Sequence, residues 1–592
     1  MRWKFLTPLF LLLLLCAITV GRKTSAQSGL VVGYGASGIQ QLSYNGVLLE
    51  DLSQYPSDAF HIWHMKMTDL NGNVVSTGQY GWGENNNGKT WNASTSTWSY
   101  QFVWGSIQVQ FQQSGTALNM IVTETNGSNS GMILDGAVIY PFAFHFPQLP
   151  AQFPDTSTPE LAFNTTGPSI TIADYGNGEV AAVDPDATQP LYSGFLPTGN
   201  GTSYYPLISG TTPDGLPLFQ PHNDRPVMPG QTQTFTVSLR FAPSSTPASA
   251  LAADAYTHWA QAWPMQLHWS DRRAIGTVFL ANSPTGDPQQ PGGYPNNPRR
   301  YFNDSDASDF DIRTSAGISA FQQKILKQAS DIVTNLRQLN AQGAITWDIE
   351  GEEYPQTTSY VCEPDEIAAI APEMETFISD LSSPYYGMKL DDAYFKTITG
   401  AGFRAGLCVR PQHFTPGSGG TAQQVYLSTS AVYNELLRKM QYAHNRWGVT
   451  LFYVDSSVDA NGGILDADIF QQLAAALPDS LIIPEESTPK HYAYTAPFLS
   501  FIDHGDTGTN PEIHVYYPTA FSVNMVNDVD ASKLANAIPA LTSSVKSGEV
   551  LMGHADYWQT NNDTILSIYQ NAGTNNISLI NTLHRVRAGS AQ

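Results

Sequence analysis

The chain is poor in cysteine, in basic residues and in long apolar runs, and each shortage excludes a class of protein. Three cysteines in 592 residues do not make a disulfide scaffold, and they lack the spacing of zinc ligands. Lys and Arg number 28 against 51 Asp and Glu. Because these cations are few and scattered, we expect neither nucleic acid nor an anionic polymer as a partner. Beyond the N-terminus no apolar run is long enough to span a membrane.

Three catalytic or cofactor-binding motifs are also missing. No glycine-rich phosphate loop follows the first strand of the second half, which disfavours a doubly wound sheet. No Gly-x-Ser-x-Gly elbow occurs, which disfavours a serine hydrolase. No His-x-His or His-Glu-x-x-His spacing occurs, so a metal-dependent hydrolase is only an alternative. We predict no metal and no cofactor.

The N-terminal residues have the pattern of a signal peptide. Arg2 and Lys4 precede an apolar run over residues 5–20, and small residues at 24–26 offer a cleavage site. We therefore predict that residues 1–26 are removed and that the protein is secreted or periplasmic, with no membrane association afterwards. An uncleaved anchor is the weaker alternative, because the run is near the lower limit for a spanning helix.

The surface chemistry suggested by the composition is neutral and aromatic. Charged residues make up only 13% of the chain, and Phe, Trp and Tyr reach 11%. Aromatic faces and neutral hydrogen-bonding groups suit a hydroxyl-rich ligand such as a poly- or oligosaccharide. An ordinary secreted β-rich protein would have the same composition, so this observation favours neither interpretation. It leaves the oligomeric state open.

Residues 27–245 are predicted to form an antiparallel β-sandwich. Apolar residues alternate with polar ones in three runs, and turn clusters such as 83–88 separate the strands. A period of two places one face of each strand on a core. The alternating residues are Phe102, Trp104, Ile107, Val109 and Phe111, then Leu118, Met120 and Val122, and then Phe235, Val237, Leu239 and Phe241.

Residues 246–592 are predicted to form a (β/α)₈ barrel of the TIM type. Eight short apolar strands alternate with helices or helix-length segments, as this fold requires. We expect the strands at 276–281, 345–349, 403–409, 450–454, 481–483, 499–502, 514–517 and 550–552. We expect helices near 248–262, 318–341, 365–382, 390–400, 431–446, 466–477 and 531–547. The connections around the sixth and seventh strands are short, which predicts rudimentary helices there.

Acidic, histidine and aromatic side chains recur where these strands end. In a barrel the C-terminal strand ends meet around one pocket, so carboxylates there would desolvate and repel one another, which separates their pKa values. Glycoside cleavage needs that separation, with one acid and one nucleophile or base. The candidate catalytic residues are Asp455, Glu485, Glu486 and Asp503. The candidate substrate-binding residues are Trp347, Asp348, Glu350, Arg410, His413, Tyr453, Asp506, His554, Asp556 and Trp558.

The segment 451–455, Leu-Phe-Tyr-Val-Asp, resembles the fourth strand of retaining barrel α-glycosidases. In the α-amylase clan and the endo-α-N-acetylgalactosaminidase family, the nucleophilic Asp ends this strand and a Glu acid/base ends the fifth. That resemblance implies Asp455 as nucleophile and Glu485 or Glu486 as acid/base. The similar α-galactosidase clan instead has its acid at the end of the sixth strand, which implies Asp503 or Asp506. The resemblance covers the barrel layout and these few residues.

Each candidate has a structural alternative. An acid at a strand-to-helix turn often caps the helix, and Asp348 with Glu350 would also suit substrate hydroxyls or a cation. Arg410 is predicted either to neutralise a catalytic carboxylate or to form a rim ion pair, and the histidines often serve as hydrogen-bonding partners. Cys362 follows the second strand and Cys408 ends the neighbouring third strand, so a disulfide and two buried thiols both remain open. The alternative functions are a non-catalytic carbohydrate-binding barrel and a metal-dependent hydrolase.

Overall fold

A computed structural model describes residues 29–51, 61–69, 74–77, 89–102, 104–140, 142, 144, 160–163, 166–188, 191–197, 204–209, 227–281, 294–302, 307–351, 362–416 and 422–573. The predicted signal peptide, residues 1–26, lies outside this set. Among the described helices, none has the length and apolar character needed to cross a bilayer. The chain divides into two compact units, the first ending at Trp259 and the second beginning at Ala260.

The first unit is an antiparallel β domain with two large sheets and a small one. The small sheet has the order β1-β2-β3, and the large sheets have the orders β11-β14-β15-β10-β4-β5 and β12-β13-β16-β9-β8-β7-β6. The strands are β1 (Leu30–Gly35), β2 (Gly38–Tyr44), β3 (Val47–Asp51), β4 (His61–Asp69), β5 (Val74–Thr77), β6 (Thr90–Asn92), β7 (Thr97–Phe102), β8 (Gly105–Ser114), β9 (Ala117–Asn126), β10 (Met132–Tyr140), β11 (Glu160–Phe163), β12 (Ile170–Asp174), β13 (Glu179–Val183), β14 (Tyr192–Pro197), β15 (Tyr204–Ser209) and β16 (Thr232–Ala242).

The core of this domain lies on the alternating residues that the sequence indicated. Val109 on β8 pairs with Val122 on β9, and Phe235 on β16 also pairs with Val122, so one face of the sheet is apolar across three strands. All three side chains are buried. The opposite face carries polar pairs, such as Thr125 against Thr232. The predicted β-sandwich is thus confirmed, because period two puts every second residue on the buried face.

The second unit is a parallel barrel with a small hairpin and surrounding helices. The strands are β17 (Ile275–Phe279), β18 (Gly343–Trp347), β19 (Arg404–Val409), β20 (His413–Pro416), β21 (Ala422–Val425), β22 (Val449–Val454), β23 (Leu481–Pro484), β24 (Phe498–Ser500), β25 (Val523–Met525) and β26 (Val550–His554). The helices, beginning just before this unit, are α1 (Ala248–Leu251), α2 (Ala253–Ala262), α3 (Ser315–Leu339), α4 (Ile367–Ile370), α5 (Leu390–Gly400), α6 (Thr429–Trp447), α7 (Ala467–Ala476), α8 (Phe501–His504), α9 (Ile513–Tyr516), α10 (Ala531–Ser547) and α11 (Thr560–Asn571). Two 3₁₀ turns cover Pro364–Glu366 and Pro489–Ala493.

The eight barrel strands pair in parallel in the order β23-β22-β19-β18-β17-β26-β25-β24. Among the described strands, β23 and β24 form no ladder with each other. Among the described residues, one backbone hydrogen bond bridges the gap, from the Ala496 amide to the Ile482 carbonyl at 3.1 Å. The predicted barrel is therefore confirmed, with a seam between its fifth and sixth strands.

Two layers of apolar side chains hold the barrel. Residues of one parity fill the interior, including Ile345, Leu451 and Ile483. Residues of the other parity, such as Phe452, pack outward with the helices. The predicted stripe on α3 lies on that outer layer, because its members recur every three or four residues. They are Phe321, Ile325, Ile332, Leu336 and Leu339, all buried.

The predicted seventh strand, 514–517, is wrong. Those residues form α9, and the seventh strand is β25 at Val523–Met525. Strand propensity in the His-Val-Tyr-Tyr segment misled the prediction, because the Asn510 side chain accepts from the Glu512 amide at 2.9 Å and turns the chain into a helical conformation. The short helices α8 and α9 confirm that the connections around strands six and seven are rudimentary.

The predicted helix at 365–382 is wrong over most of its length. A 3₁₀ turn and the four-residue α4 are followed by turns and bends. Pro372 has no amide hydrogen to donate, so it prevents a helix from continuing through it. A further helix, α11, was not predicted.

Candidate active site

Three strand ends lie at one level on the barrel. Val409 of β19 pairs with Val454 of β22, and Val454 pairs with Pro484 of β23. Arg410, Asp455 and Glu485 are the residues that follow. The Asp455 amide donates to the Val409 carbonyl and the Glu485 amide to the Val454 carbonyl, both at 3.0 Å. The parallel register therefore places these three residues side by side at the C-terminal edge.

The side chains of Asp455 and Glu485 continue the inward-facing parity of their strands. Leu451 and Tyr453 precede Asp455 at steps of two, and Leu481 with Ile483 precedes Glu485 in the same way. All four preceding residues belong to the interior core. Because side chains on a strand alternate between its faces, both carboxyl groups come above the barrel interior.

Asp455 is a buried carboxylate with a cationic partner. Its side chain is 10% exposed, and Arg410 Nη2 donates to Asp455 Oδ1 at 2.9 Å. Ser456 Oγ donates to the same oxygen at 3.0 Å, while Cys408 Sγ lies 4.0 Å from Oδ2. Burial opposes the charge on Arg410, but the Asp455 carboxylate outweighs it, so the pKa of Arg410 is raised. The ion pair therefore holds the Asp455 carboxylate and a guanidinium together at the strand end.

Glu485 is adapted to hold a proton. Burial, followed by the negative charges of Asp455 and Glu486, raises the pKa of Glu485 to about 8. The carboxyl group also hydrogen-bonds Asp455. Its Oε2 accepts from the Ser456 amide at 2.6 Å, and this contact opposes the rise. Ser456 has φ +48°, a left-handed conformation that turns its amide away from strand continuation.

Glu486 has a different environment from Glu485. Its Oε2 accepts from the Ser457 amide at 2.6 Å and from Ser457 Oγ at 2.8 Å. The Glu486 amide in turn donates to Ser457 Oγ at 2.9 Å. Glu486 also lies on the opposite parity of the strand from Glu485. Through these contacts Glu486 connects the loop after β22 to the loop after β23.

Aromatic rings line the top of the barrel interior. Trp347 lies 5.1 Å from Phe279 and 5.1 Å from Tyr453, and Tyr453 lies 5.2 Å from Phe498, measured between ring centroids. Burial, and then the charge of Glu485, raises the pKa of Tyr453 well above its usual value, and its hydroxyl hydrogen-bonds Glu485. The predicted residues Trp347 and Tyr453 thus adjoin the carboxyl pair, while Phe279 and Phe498 were not predicted.

Asp348 and Glu350 occupy the buried turn after β18. Their exposed fractions are 3% and 0%, and Asp348 has φ +57°. Burial, and then the charge of Glu363, raises the pKa of Glu350 to about 8. Cys362 and Cys408 are buried free thiols that hydrogen-bond each other. Burial raises the pKa of Cys408 to about 12, so its thiol keeps its proton.

His413 lies in an ion cluster beside the site. Its Nδ1 is 3.2 Å from Glu435 Oε1 and 3.3 Å from Glu363 Oε1. Within the described residues, Glu363, Glu366 and His413 are the group whose ligand atoms lie close enough to hold a metal. However, Lys439 approaches Glu363 to 3.4 Å, so a cation of the chain itself already neutralises this carboxylate. The donor set therefore fits an ion cluster better than a metal.

His554 ends β26 and forms a second charged group. Its Nδ1 lies 3.0 Å from Asp556 Oδ1 and its Nε2 lies 2.8 Å from Asp528 Oδ1. Burial lowers the pKa of His554, but the hydrogen bonds to both carboxylates outweigh it and raise the pKa to about 9. Tyr557 stacks on the imidazole at 4.2 Å between ring centroids. Trp558 packs on the outer core and points Nε1 at Asp563, at 3.3 Å.

Asp503 and Asp506 follow β24. Asp503 is exposed, its amide donates to Ser500 Oγ at 3.3 Å, and Ser500 Oγ donates back to Asp503 Oδ2 at 2.9 Å. This exchange caps α8. The Asp506 carbonyl accepts from Asn524 Nδ2 at 2.8 Å. A catalytic role for Asp503 and substrate binding by Asp506 therefore remain predictions from sequence.

Comparison with known proteins gave matches in structure only. No family model and no curated protein matches the sequence. Among solved structures, the GH36 α-galactosidase AgaB of Geobacillus stearothermophilus is 9% identical with a TM-score of 0.40, over 92% of this chain and 86% of that one.

Two further structures have comparable similarity. A variant of AgaA from the same organism, crystallised with raffinose, is 10% identical with a TM-score of 0.42, over 93% of this chain and 85% of that one. A β-arabinopyranosidase is 10% identical with a TM-score of 0.30, over 79% and 69%. These values assign neither substrate nor mechanism, and the architecture rests on the strand order itself.

Several site residues escaped the sequence analysis. Ser456 and Ser457 supply the amides that hold Glu485 and Glu486, and Asp528 pairs with His554. Asp528 comes three residues after β25, so a correct seventh strand would have revealed it by the strand-end rule. The sequence does not indicate that the Ser456 and Ser457 amides bind carboxylates, because the direction of an amide depends on the backbone conformation.

Proposed function

We propose that this protein is a secreted or periplasmic glycoside hydrolase that cleaves glycosidic bonds with retention of configuration. The observation that carries the proposal is the contact between Glu485, whose pKa is raised to about 8, and Asp455, which is paired with Arg410. Glu485 holds a proton at neutral pH, and Asp455 lies beside a cation. That is the division of roles that a retaining mechanism needs.

The first step uses both carboxyl groups at once. Asp455 attacks the anomeric carbon and forms a glycosyl ester, while Glu485 transfers its proton to the glycosidic oxygen, which leaves as a hydroxyl. In the second step the ionised Glu485 takes a proton from water, the water oxygen attacks the anomeric carbon, and Asp455 leaves as a carboxylate. The sugar is released and Glu485 regains its proton.

Arg410 and Tyr453 position these groups. The guanidinium of Arg410 donates to Asp455 and fixes the direction of its carboxylate. The hydroxyl of Tyr453 hydrogen-bonds Glu485, and its ring packs against that of Trp347 at the top of the barrel interior. Aromatic rings beside the carboxyl pair suit the apolar side of a sugar ring.

Activity and stereochemistry together test this proposal. Wild type and Asp455→Asn are screened against aryl α- and β-glycosides, including galactosides, and against neutral polysaccharides. The first sugar product is analysed by NMR. We expect hydrolysis by the wild type with retention and none by the variant. Inversion would contradict the mechanism, and binding without hydrolysis would favour the carbohydrate-binding alternative.

Export is tested separately. If residues 1–26 are a signal peptide, the mature protein recovered from the periplasm or the medium begins at Gln27. Cytoplasmic recovery with Met1 retained would contradict this part of the proposal and leave the catalytic part untouched.

A further inference from the structure

Ser456 donates a hydrogen bond to each of the two proposed catalytic carboxyl groups. Its Oγ donates to Asp455 Oδ1 at 3.0 Å, and its amide donates to Glu485 Oε2 at 2.6 Å. Asp455 directly precedes Ser456 after β22, whereas Glu485 follows the neighbouring strand β23. One residue therefore connects the proposed nucleophile to the proposed proton donor, through its side chain on one side and its backbone on the other.

The backbone conformation at Ser456 directs its amide toward the residues after β23. In an extended strand, consecutive amides point to opposite sides of the chain. Here the consecutive amides of Ser456 and Ser457 both donate to glutamates after β23, Glu485 and Glu486, each at 2.6 Å. The φ angle of +48° at Ser456 makes this possible, because a left-handed residue lets successive amides face the same anionic group or surface.

A buried side chain holds Ser456 in this conformation. Gln412 is 1% exposed, and its Nε2 donates to the Ser456 carbonyl at 2.9 Å. A left-handed residue other than glycine is strained, and such strain persists where the surroundings fix it, commonly at functional sites. Glycine would adopt the same conformation without strain but would lack the hydroxyl that contacts Asp455. The position therefore combines a strained backbone with a side chain that makes a specific contact.

We propose that Ser456 is a positioning residue for the reaction: its hydroxyl fixes the Asp455 carboxylate for attack, and its amide stabilises the negative charge that Glu485 acquires on giving up its proton. The inference rests on the proposed function for the roles of the two carboxyl groups. In the first step the charge leaves Asp455 as the glycosyl ester forms and appears on Glu485. A donor that is already in place when a charge develops lowers the barrier, because it need not reorganise.

Two substitutions separate the hydroxyl from the amide. Ser456→Gly loses the hydroxyl and keeps the direction of the amide, because glycine readily adopts a positive φ. Ser456→Val also loses the hydroxyl, but its β-branched side chain disfavours φ +48° and turns the amide away from Glu485. The two variants thus share the loss of the hydroxyl and differ in the amide contact.

The pH profile of kcat/KM distinguishes positioning from a purely structural role. Phenyl glycosides, galactosides included, are the probes, because their poor leaving group needs the proton. We expect Ser456→Gly to lower the plateau by about tenfold and to keep the alkaline limb of the wild type. Ser456→Val should also move that limb up by about one pH unit, since the lost amide contact opposes the rise in the pKa of Glu485.

Ser457→Ala is the matched control, because Ser457 Oγ makes the equivalent contact with Glu486, at 2.8 Å. We expect its alkaline limb to coincide with that of the wild type. An equal shift of the limb in Ser457→Ala and Ser456→Val would indicate a general loosening of the two loops and overturn the proposal. Full activity of Ser456→Gly would overturn it as well.

Circular dichroism and thermal unfolding establish that each variant is folded. Where Ser456→Val does not fold, Ser456→Ala takes its place, because alanine also lacks the hydroxyl and opposes a positive φ less strongly. The same upward direction of the limb is expected, with a smaller shift. An alkaline limb that coincides with that of Ser456→Gly would contradict the role of the amide.

Carbon-13 NMR separates a failure of this inference from a failure of the proposed function. Protein labelled at the glutamate carboxyl carbons reports the titration of Glu485 without substrate, and Glu485→Gln assigns its signal. An upward shift of that titration in Ser456→Val, with no hydrolysis of any aryl glycoside, would sustain the Ser456 contact and contradict the proposed function. Hydrolysis with retention, and no shift of the titration or of the limb, would do the reverse.

Discussion

Asp455 and Glu485 end neighbouring parallel strands at the same level, and their carboxyl groups contact each other above the barrel interior. Arg410 continues the row on the other side of Asp455. A guanidinium and two carboxyl groups thus follow the ends of three neighbouring strands. The predictions below address each member of this row and the separate charge at His554.

Replacing Asp455 with Asn should abolish turnover and preserve the fold. The amide oxygen can still accept from Arg410 and Ser456, but the side chain no longer attacks an anomeric carbon. Circular dichroism and thermal unfolding should show a folded protein. Full activity in the variant would remove Asp455 from the mechanism.

Glu485→Gln should lower kcat by about 10²–10⁴-fold, the usual contribution of a general acid. Glu486→Gln is the matched control, since it changes the adjacent residue on the other face of the strand. We expect it to retain most activity, with lower stability because Ser457 loses an ionised acceptor. A larger loss of rate from Glu486→Gln would reverse the assignment.

The activity of the wild type should fall as the pH rises through about 8. Glu485 must be protonated to donate to the leaving oxygen, and its pKa in the folded protein is raised to about 8. A profile of kcat/KM from pH 5 to 10 measures this limb. Substrates with very good leaving groups need less protonation, so their profile should be flatter; an equal decline for both would argue against Glu485 as the acid.

Arg410→Met should destabilise the protein by about 3–5 kcal/mol, because it leaves the buried Asp455 carboxylate without its cation. Arg313→Met is the comparison, since Arg313 pairs with Asp311 at an exposed site, where solvent screens the pair and its loss should change stability little. Chemical denaturation of both variants gives the two values. Similar values for the two would show that the Arg410 pair is not held in a buried state.

The stability contributed by His554 should depend on pH. Its folded pKa is raised to about 9, so the contribution is complete below the unfolded value near 6.5 and is lost as the pH rises through about 9. The loss is at most about 3 kcal/mol, and less where solvent screens the exposed Asp528. Unfolding of wild type and His554→Gln at pH 6 and pH 9.5 should therefore converge at the higher pH.

The positions of Asp455 and Glu485 could be predicted from the sequence, because each follows a short apolar strand and side chains on a strand alternate between its two faces. Strands β22 and β23 are apolar and uninterrupted, so Asp455 and Glu485 follow at predictable places with inward parity. Choosing between Glu485 and Glu486 needed the structure, since both end the same strand. Only the contacts of Ser456 and Ser457 distinguish them.

The region from β24 to β25 could not be predicted equally well. These strands have three residues each, too few to show a period, and the segment with the best strand propensity forms α9. As a result Asp528 was missed. Burial of Asp348 and Glu350 was also beyond the sequence, because it depends on a left-handed turn at Asp348.

The seam of the barrel lies next to the strand that carries Glu485. Where the other neighbouring strands form ladders, the described residues join β23 to the segment before β24 by the Ala496–Ile482 hydrogen bond, and breaking it would breach the wall there. Hydration through such a breach would relieve the desolvation that keeps Glu485 protonated. The stability of this one hydrogen bond would then influence the pH at which Glu485 loses its proton and activity falls. Hydrogen exchange of the Ala496 amide would measure how often the bond opens.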